Sequence, residues 1–327
     1  MTVLTMSKAL NLGLRKAMER DDRVLLMGED IGRLGGVFRV TDGLQKDFGE
    51  NRVIDTPLAE SSILGTAIGL AMRGFRPVCE IQFDGFLFPA FDQIVTQLAK
   101  HRARSSGLTQ MPIVVRIPYG GGIGAVEHHS ESPEAYFAHT PGLRVVAPGD
   151  STSAFVMIQQ AIASPDPIIF LEPKRRYWDK SDVVEDAELP APADLFTARV
   201  IRSGSDLTLA CYGSMVRTCL QAADAAALDG RSLEVVDLRS ISPLDLSTLA
   251  ASVERTGRLV VVHEAQVSFG VGAEIAARIT ERCFYHLSAP VLRVGGYDVP
   301  YPPSRLESLY LPDLDRVLDT VDISLRY

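Results

Sequence analysis

The sequence has only four cysteines in 327 residues, Cys79, Cys211, Cys219 and Cys283, and none forms a C-x-x-C pair. Scattered through apolar contexts, they provide neither a disulfide framework nor a zinc site, and a reducing compartment is expected. Clustered positive charge is also missing: 33 bases stand against 41 acids, a formal −8, with no Lys/Arg block. Nucleic acid and anionic membrane surfaces are therefore excluded as natural partners. No apolar run nears the roughly 20 residues of a membrane span, and MTVLTMSKALNLGLRKAMERDDR lacks the apolar region and cleavage site of a signal peptide. A soluble, cytoplasmic protein without a targeting peptide is expected. Nor is there a nucleotide-binding signature, since the glycine-rich stretch 28–36, GEDIGRLGG, has neither G-x-G-x-x-G nor G-K-[ST] spacing.

What the chain does have is apolar residues, 46% of the total, enough for a large core divided between two domains. Periodicity predicts a helix over 6–20, with Leu10, Leu14, Ala17 and Met18 on one side, then a buried strand at 23–27. A short helix at 42–48 and a strand at 52–54 come next. A helix beginning at Glu60 and a strand at 76–82 then form a right-handed βαβ unit. Helices at 91–104 and 149–163 and strands at 112–117, 143–147 and 167–171 continue the alternation. The stretch 172–192, EPKRRYWDKSDVVEDAELPAP, is charged, proline-bearing and aperiodic, and it reads as an interdomain linker. Strands at 207–212, 233–238, 258–263 and 291–294 then alternate with helices near 214–228, 245–255, 269–284 and 313–323. That pattern is a second, smaller α/β domain. The expected division is 1–175, a linker at 176–195, and 196–327.

Few residues sit where their chemistry is unexplained. Glu60 opens a helix, ESSILGTAIGLAM, too apolar to face water, although a first-turn carboxylate favoured by the helix dipole is the competing reading. Along that helix Ser61, Gly65 and Gly69 form a small-residue ridge that a second backbone could approach. Glu29 and Asp30 follow a strand directly, the usual place for ligand contacts in an α/β protein. Phe83, Phe86, Phe88 and Phe91 crowd together, as core or as cover for a flat ring. His128, His129 and Ser130 follow the glycines Gly120, Gly121, Gly122 and Gly124. With no third ligand at metal spacing, acid/base or oxyanion work is the sharper reading of those histidines. His263-Glu264 lacks the second histidine of a zincin, and the aromatic, proline-rich YDVPYPPSRLE (297–307) reads as a docking surface or a rigid connection.

Taken in order, GEDIGRLGGVFRVTDGL, DTPLAES, RPVCEIQF, FPAFDQI, HHSESPEAYFAHTPGLRVV, FLEPKRRY, DLRSISPLD, TGRLVVVHEA and GYDVPYP span almost the whole chain. This series resembles the β subunit of thiamine diphosphate-dependent 2-oxo acid dehydrogenases, the E1 component of a multienzyme complex. The resemblance implies a transketolase-type pyrimidine-binding domain followed by a transketolase C-terminal domain, in an α2β2 heterotetramer with active sites between subunits. In such enzymes the α chain carries a G-D-G signature for Mg²⁺ and diphosphate, and no GDG occurs here. The chain should thus be inactive alone and should work with an α partner, a lipoyl-bearing E2 acyltransferase and a 2-oxo acid.

Roles follow by position. The resemblance implies that Glu60 shares a proton with the cofactor's pyrimidine nitrogen, assisted by Glu29. Leu58 and Ala59 would contact the cofactor, Gln82 would hydrogen-bond near it, and Phe86 would stack on its ring, with Leu87, Phe88 and Pro89 completing the wall. Phe83, Asp84, Gly85 and Phe86 would face the substrate, and His129, with His128 second, would exchange a proton with substrate or lipoyl group. A structural potassium ion is implied at Ile113, Ala161, Ile162, Ser164 and Asp166, with Ser164 in place of a usual aspartate. IQFDGFLFPAFDQI and HSESPEAYFAH read closest to the branched-chain type, with pyruvate as the alternative because phenylalanine replaces a tyrosine common among branched-chain enzymes. A transketolase-like half-enzyme and a non-catalytic docking subunit are the remaining rivals.

Overall fold

The apolar runs become the inner strands of two mostly parallel sheets in the computed structural model, which describes residues 1–185 and 189–327. Across the first sheet the order is Ser240–Ser242, Arg144–Val146, Ile168–Pro173, Val114–Tyr119, Arg76–Glu80, Val24–Gly28 and Val53–Asp55. All neighbours are parallel except Ser240–Ser242, which pairs antiparallel at one edge. Every residue of Val24–Gly28, Val114–Tyr119 and Ile168–Pro173 is buried, as strands covered on both faces require. The second sheet runs Leu292–Gly296, Leu259–Gln266, Leu207–Cys211, Leu233–Asp237, with Arg199–Arg202 antiparallel at its edge. The architecture is α/β, with helices packed on both sheets.

Local chemistry sets the helix starts. The Thr5 hydroxyl accepts the Lys8 N–H at the head of Met6–Arg20, and Asp150 accepts the Ser153 N–H at the head of Ser151–Ala163. These two helices lie so close that a Cβ on Gly13 would sit 2.4 Å from Ile158 and 3.0 Å from the Phe155 carbonyl oxygen. Glycine is required there by the approach of the neighbouring backbone. By contrast, Ser61, Gly65 and Gly69 are exposed, and a Cβ on Gly69 would meet nothing within 4 Å. Among the described residues the ridge has no partner backbone.

Several sequence expectations change. The stretch read as an aperiodic linker contains a strand, Lys180–Val183, antiparallel to Thr2–Thr5, and a short turn, Lys174–Arg176. Part of it packs inward: the Arg176 guanidinium donates to the Ser214 carbonyl at 2.7 Å, and Tyr177 stacks on Phe38 at 4.6 Å. Residues 186–188 of the expected linker lie outside the described residues. The helix predicted over 91–104 begins at Phe88 and passes through a π segment, Gln93–Leu98, before ending at Arg104. The strand expected over 76–82 stops at Glu80, which releases Gln82 into a loop.

Candidate active site

In a parallel sheet the loops beyond the strands' carboxyl ends share one edge. Glu29 follows Val24–Gly28, Gln82 and Phe83 follow Arg76–Glu80, Gly120 follows Val114–Tyr119, and Lys174 follows Ile168–Pro173. Glu60 begins the helix after Val53–Asp55 and is only 6% exposed, yet no hydrogen bond reaches its carboxylate among the described residues. Glu29 stands beside it with one carboxylate oxygen, Oε1, buried and unpartnered. Loss of water and repulsion from Glu60 push Glu29 above the ordinary carboxylate range, and the Ala59 N–H offsets part of that rise. A buried polar group without a partner is costly unless a ligand supplies one. Here that group is Glu29 Oε1, with the Glu60 carboxylate beside it. The Gln82 amide donates to the Glu29 carbonyl at 3.3 Å, tying the two strand ends together. Leu58, 81% exposed, and the half-buried Ala59 form the outer lip.

The aromatic residues and histidines do converge. His129 stacks on Phe83 with ring centroids 4.1 Å apart and meets Phe86 edge-on at 5.0 Å, while His128 lies 6.4 Å from Phe86. The His129 Nδ1 is 2.8 Å from the His128 carbonyl, an acceptor only, so Nδ1 carries the proton and the neutral ring keeps its lone pair on Nε2. Gly85 makes this approach possible, because a Cβ there would fall 2.1 Å from the His128 carbonyl oxygen. Asp84 does not face outward: it is buried, paired with the Lys174 ammonium, and accepts the Glu131 N–H at 2.8 Å. Burial drives Asp84 up and Lys174 down, while each holds the other's charge. Its work is to fasten the histidine loop to the phenylalanine turn.

Three residues of the implied wall lie elsewhere. Leu87 is fully buried in the core, and Phe88, exposed with Pro89, packs against Phe91 and Tyr136 at 6.4 and 6.2 Å. The turn Asp84–Leu87 sends Phe86 and Leu87 in different directions, so consecutive positions do not share one wall. Sequence reasoning missed Lys174 and the buried Arg116, whose guanidinium spans Glu80 at 2.6 Å and Glu172 at 2.6 and 2.9 Å. Their signal was position: each lies in, or directly after, an aliphatic strand.

Comparison with known proteins decides the family. Residues 2–179 match the transketolase pyrimidine binding domain and 197–317 the transketolase C-terminal domain. The pyruvate dehydrogenase E1 component subunit beta of Leifsonia xyli is 61% identical over 99% of this chain and 95% of that protein. The 3-methyl-2-oxobutanoate dehydrogenase subunit beta of Mycobacterium tuberculosis is 56% identical over 99% of this chain and 92% of that protein. The chain belongs to the E1 β subunits of 2-oxo acid dehydrogenases. As such it is part of an oxidoreductase that works with an α subunit. A solved split-gene transketolase, an inactive β4 tetramer, shares the fold, with TM-score 0.82 at 21% identity over 99% of this chain and 98% of that one.

Thiamine diphosphate, the cofactor of this family, fits the E1 β residues at its pyrimidine end: a buried acid without a partner, a second acid with an orphaned oxygen, and aromatic side chains beyond. The implied potassium set gathers at one corner, where its oxygens take part in hydrogen bonds and ion pairs. Ile113 O accepts the Ile168 N–H at 2.9 Å and Ala161 O the Ser164 N–H at 3.2 Å. Ile162 O and Ser164 O both accept Arg76 Nη1, at 2.8 and 3.2 Å, and the Asp166 carboxylate pairs with Arg102 and Arg144. The Arg76 guanidinium thus reaches two of these carbonyl oxygens.

Proposed function

We propose that this E1 β chain supplies the pyrimidine half of an active site completed by its α partner in an α2β2 assembly. The α chain would bring Mg²⁺ and the diphosphate site, in keeping with the absence of GDG here. The assembly decarboxylates a 2-oxo acid and passes the acyl group to a lipoyl group on E2, in the cytoplasm. Bound thiamine diphosphate supplies the electron sink for the carbon–carbon bond that breaks.

Glu60 holds the proton shared with the cofactor's ring nitrogen, and the buried helix mouth keeps water from competing for it. Glu29, raised by burial and by the charge of its neighbour, stands beside Glu60 at the ring's edge. Leu58 and Ala59 border the ring, Gln82 fixes the Glu29 backbone, and Phe83 and Phe86 form the apolar wall. His129, held by its Nδ1 bond, presents Nε2 for proton exchange with substrate or lipoyl group, and His128 stands behind it. The sequence segments named above favour a branched-chain 2-oxo acid. The Leifsonia relative favours pyruvate.

The observation that carries the proposal is Glu60, buried and unpartnered beside the orphaned oxygen of Glu29. With a G-D-G-bearing α chain, Glu60→Ala should lower 2-oxo acid decarboxylation by about 10²-fold or more. Size-exclusion chromatography should show assembly unchanged. Retained activity would refute the assignment. In the same preparation 3-methyl-2-oxobutanoate should give the higher kcat/KM, and the reverse order would make pyruvate the substrate.

A further inference from the structure

The loop that carries His128 and His129 is held from the other domain. Its ends meet where the Gly120 N–H donates to the Glu131 carbonyl at 2.8 Å. Between them Glu307 accepts two backbone N–H groups of the turn: the Gly122 N–H at 2.8 Å on Oε1 and the Gly124 N–H at 3.1 Å on Oε2. The Tyr301 hydroxyl donates to the same Oε1 at 2.7 Å, and the Gly121 N–H donates to the Glu264 carboxylate. Tyr301 is so close that a Cβ on Gly121 would lie 1.7 Å from its oxygen. Gly120, Gly122 and Gly124 have φ of +77°, +89° and +70°, the left-handed backbone that lets these amides turn toward the two carboxylates. Glu307 is 9% exposed and Tyr301 6%, so these two side chains of 297–307 turn inward.

We infer that Glu307, locked by Tyr301, is a positioning residue: it clasps the glycine loop so that His129 stays stacked on Phe83. The role of the 297–307 segment is thus to couple the C-terminal domain to the active site. The inference rests on the proposed part of His129 in proton exchange with substrate or lipoyl group. A carboxylate suits the task because both oxygens must accept, and each N–H bond is charge-assisted. A glutamine would turn its NH₂ toward one of the two backbone N–H groups.

The test uses Glu307→Gln, Tyr301→Phe and, as control, the exposed Glu281→Gln, each assembled with the α partner. Hydrogen exchange of the peptide covering 119–131 should quicken about tenfold in Glu307→Gln, less in Tyr301→Phe, and not at all in the control. Lipoyl-dependent turnover should fall about ten- to a hundredfold in Glu307→Gln, with KM for the 2-oxo acid changed far less than kcat. Unchanged exchange in both variants would overturn the clasp, and Tyr301→Phe alone decides this if Glu307→Gln does not fold. Faster exchange with full turnover, in a protein that His129→Ala inactivates, would overturn the positioning role. Full turnover by His129→Ala would instead refute the histidine assignment, and with it any need for His129 to be positioned.

Discussion

Lys174 is the residue whose importance was least visible in the sequence. It sits in a run of three cations, KRR, which reads as solvated, and it emerges fully buried against Asp84. A buried cation is invisible to hydrophobic patterning because the carboxylate that pairs with it lies 90 positions away. Glu60 was legible for the opposite reason: an acid at the mouth of an apolar helix conflicts with its own neighbourhood, and that conflict can be seen locally. Its partner Glu29 was legible only as a strand-end position. Because removing one member of a buried pair strands the other charge, Lys174→Met should destabilise the chain by about 3–5 kcal/mol. Denaturant unfolding of Lys174→Met beside Lys174→Met/Asp84→Leu checks this: the double variant should recover most of the loss. Equal losses in both would mean that the lysine acts through packing alone.

Among the elements, those built from contiguous aliphatic residues were readable. The strands at Val24–Gly28, Val114–Tyr119, Ile168–Pro173 and Leu259–Gln266 lie within a few residues of their predicted bounds, because burial on both faces demands a mostly apolar run. The strands that escaped, Thr2–Thr5, Lys180–Val183, Arg199–Arg202 and Ser240–Ser242, all pair antiparallel at edges or in a lone ribbon. Their sequences are short and mixed in polarity, and what makes them strands is a neighbour supplied by the tertiary fold. The π segment Gln93–Leu98 is likewise unmarked, since its residues are ordinary helix formers. Thus the layers could be read from the sequence, while the lacing between them could not.

At the scale of the whole molecule, one apolar cluster runs from the first sheet into the second, and buried polar groups bridge beside it. Glu134, fully buried beside the first sheet, accepts the Tyr212 hydroxyl of the second at 2.7 Å, and burial pushes its carboxyl from 4.5 up to about 7. A folded value above the unfolded one means the native state binds the extra proton. Stability present below pH 4.5 is therefore lost as pH rises through about 7, by up to a value on the order of 3 kcal/mol. Asp237, also raised to about 7, adds to the same slope. Glu134→Gln should flatten the decline of the denaturation midpoint across that window without abolishing it, and an unchanged slope would show that Glu134 ionises normally when folded.

The account as a whole depends on an acid pair that only a second subunit turns into an active site. Its most direct test is the rate at which the C2 proton of bound thiamine diphosphate exchanges with deuterated water, followed by NMR after acid quench. The α–β assembly should exchange that proton fast, the chain alone should not accelerate it, and Glu60→Gln in the assembly should slow it by about 10²-fold or more. Exchange as fast in Glu60→Gln as in the unaltered assembly would contradict the account.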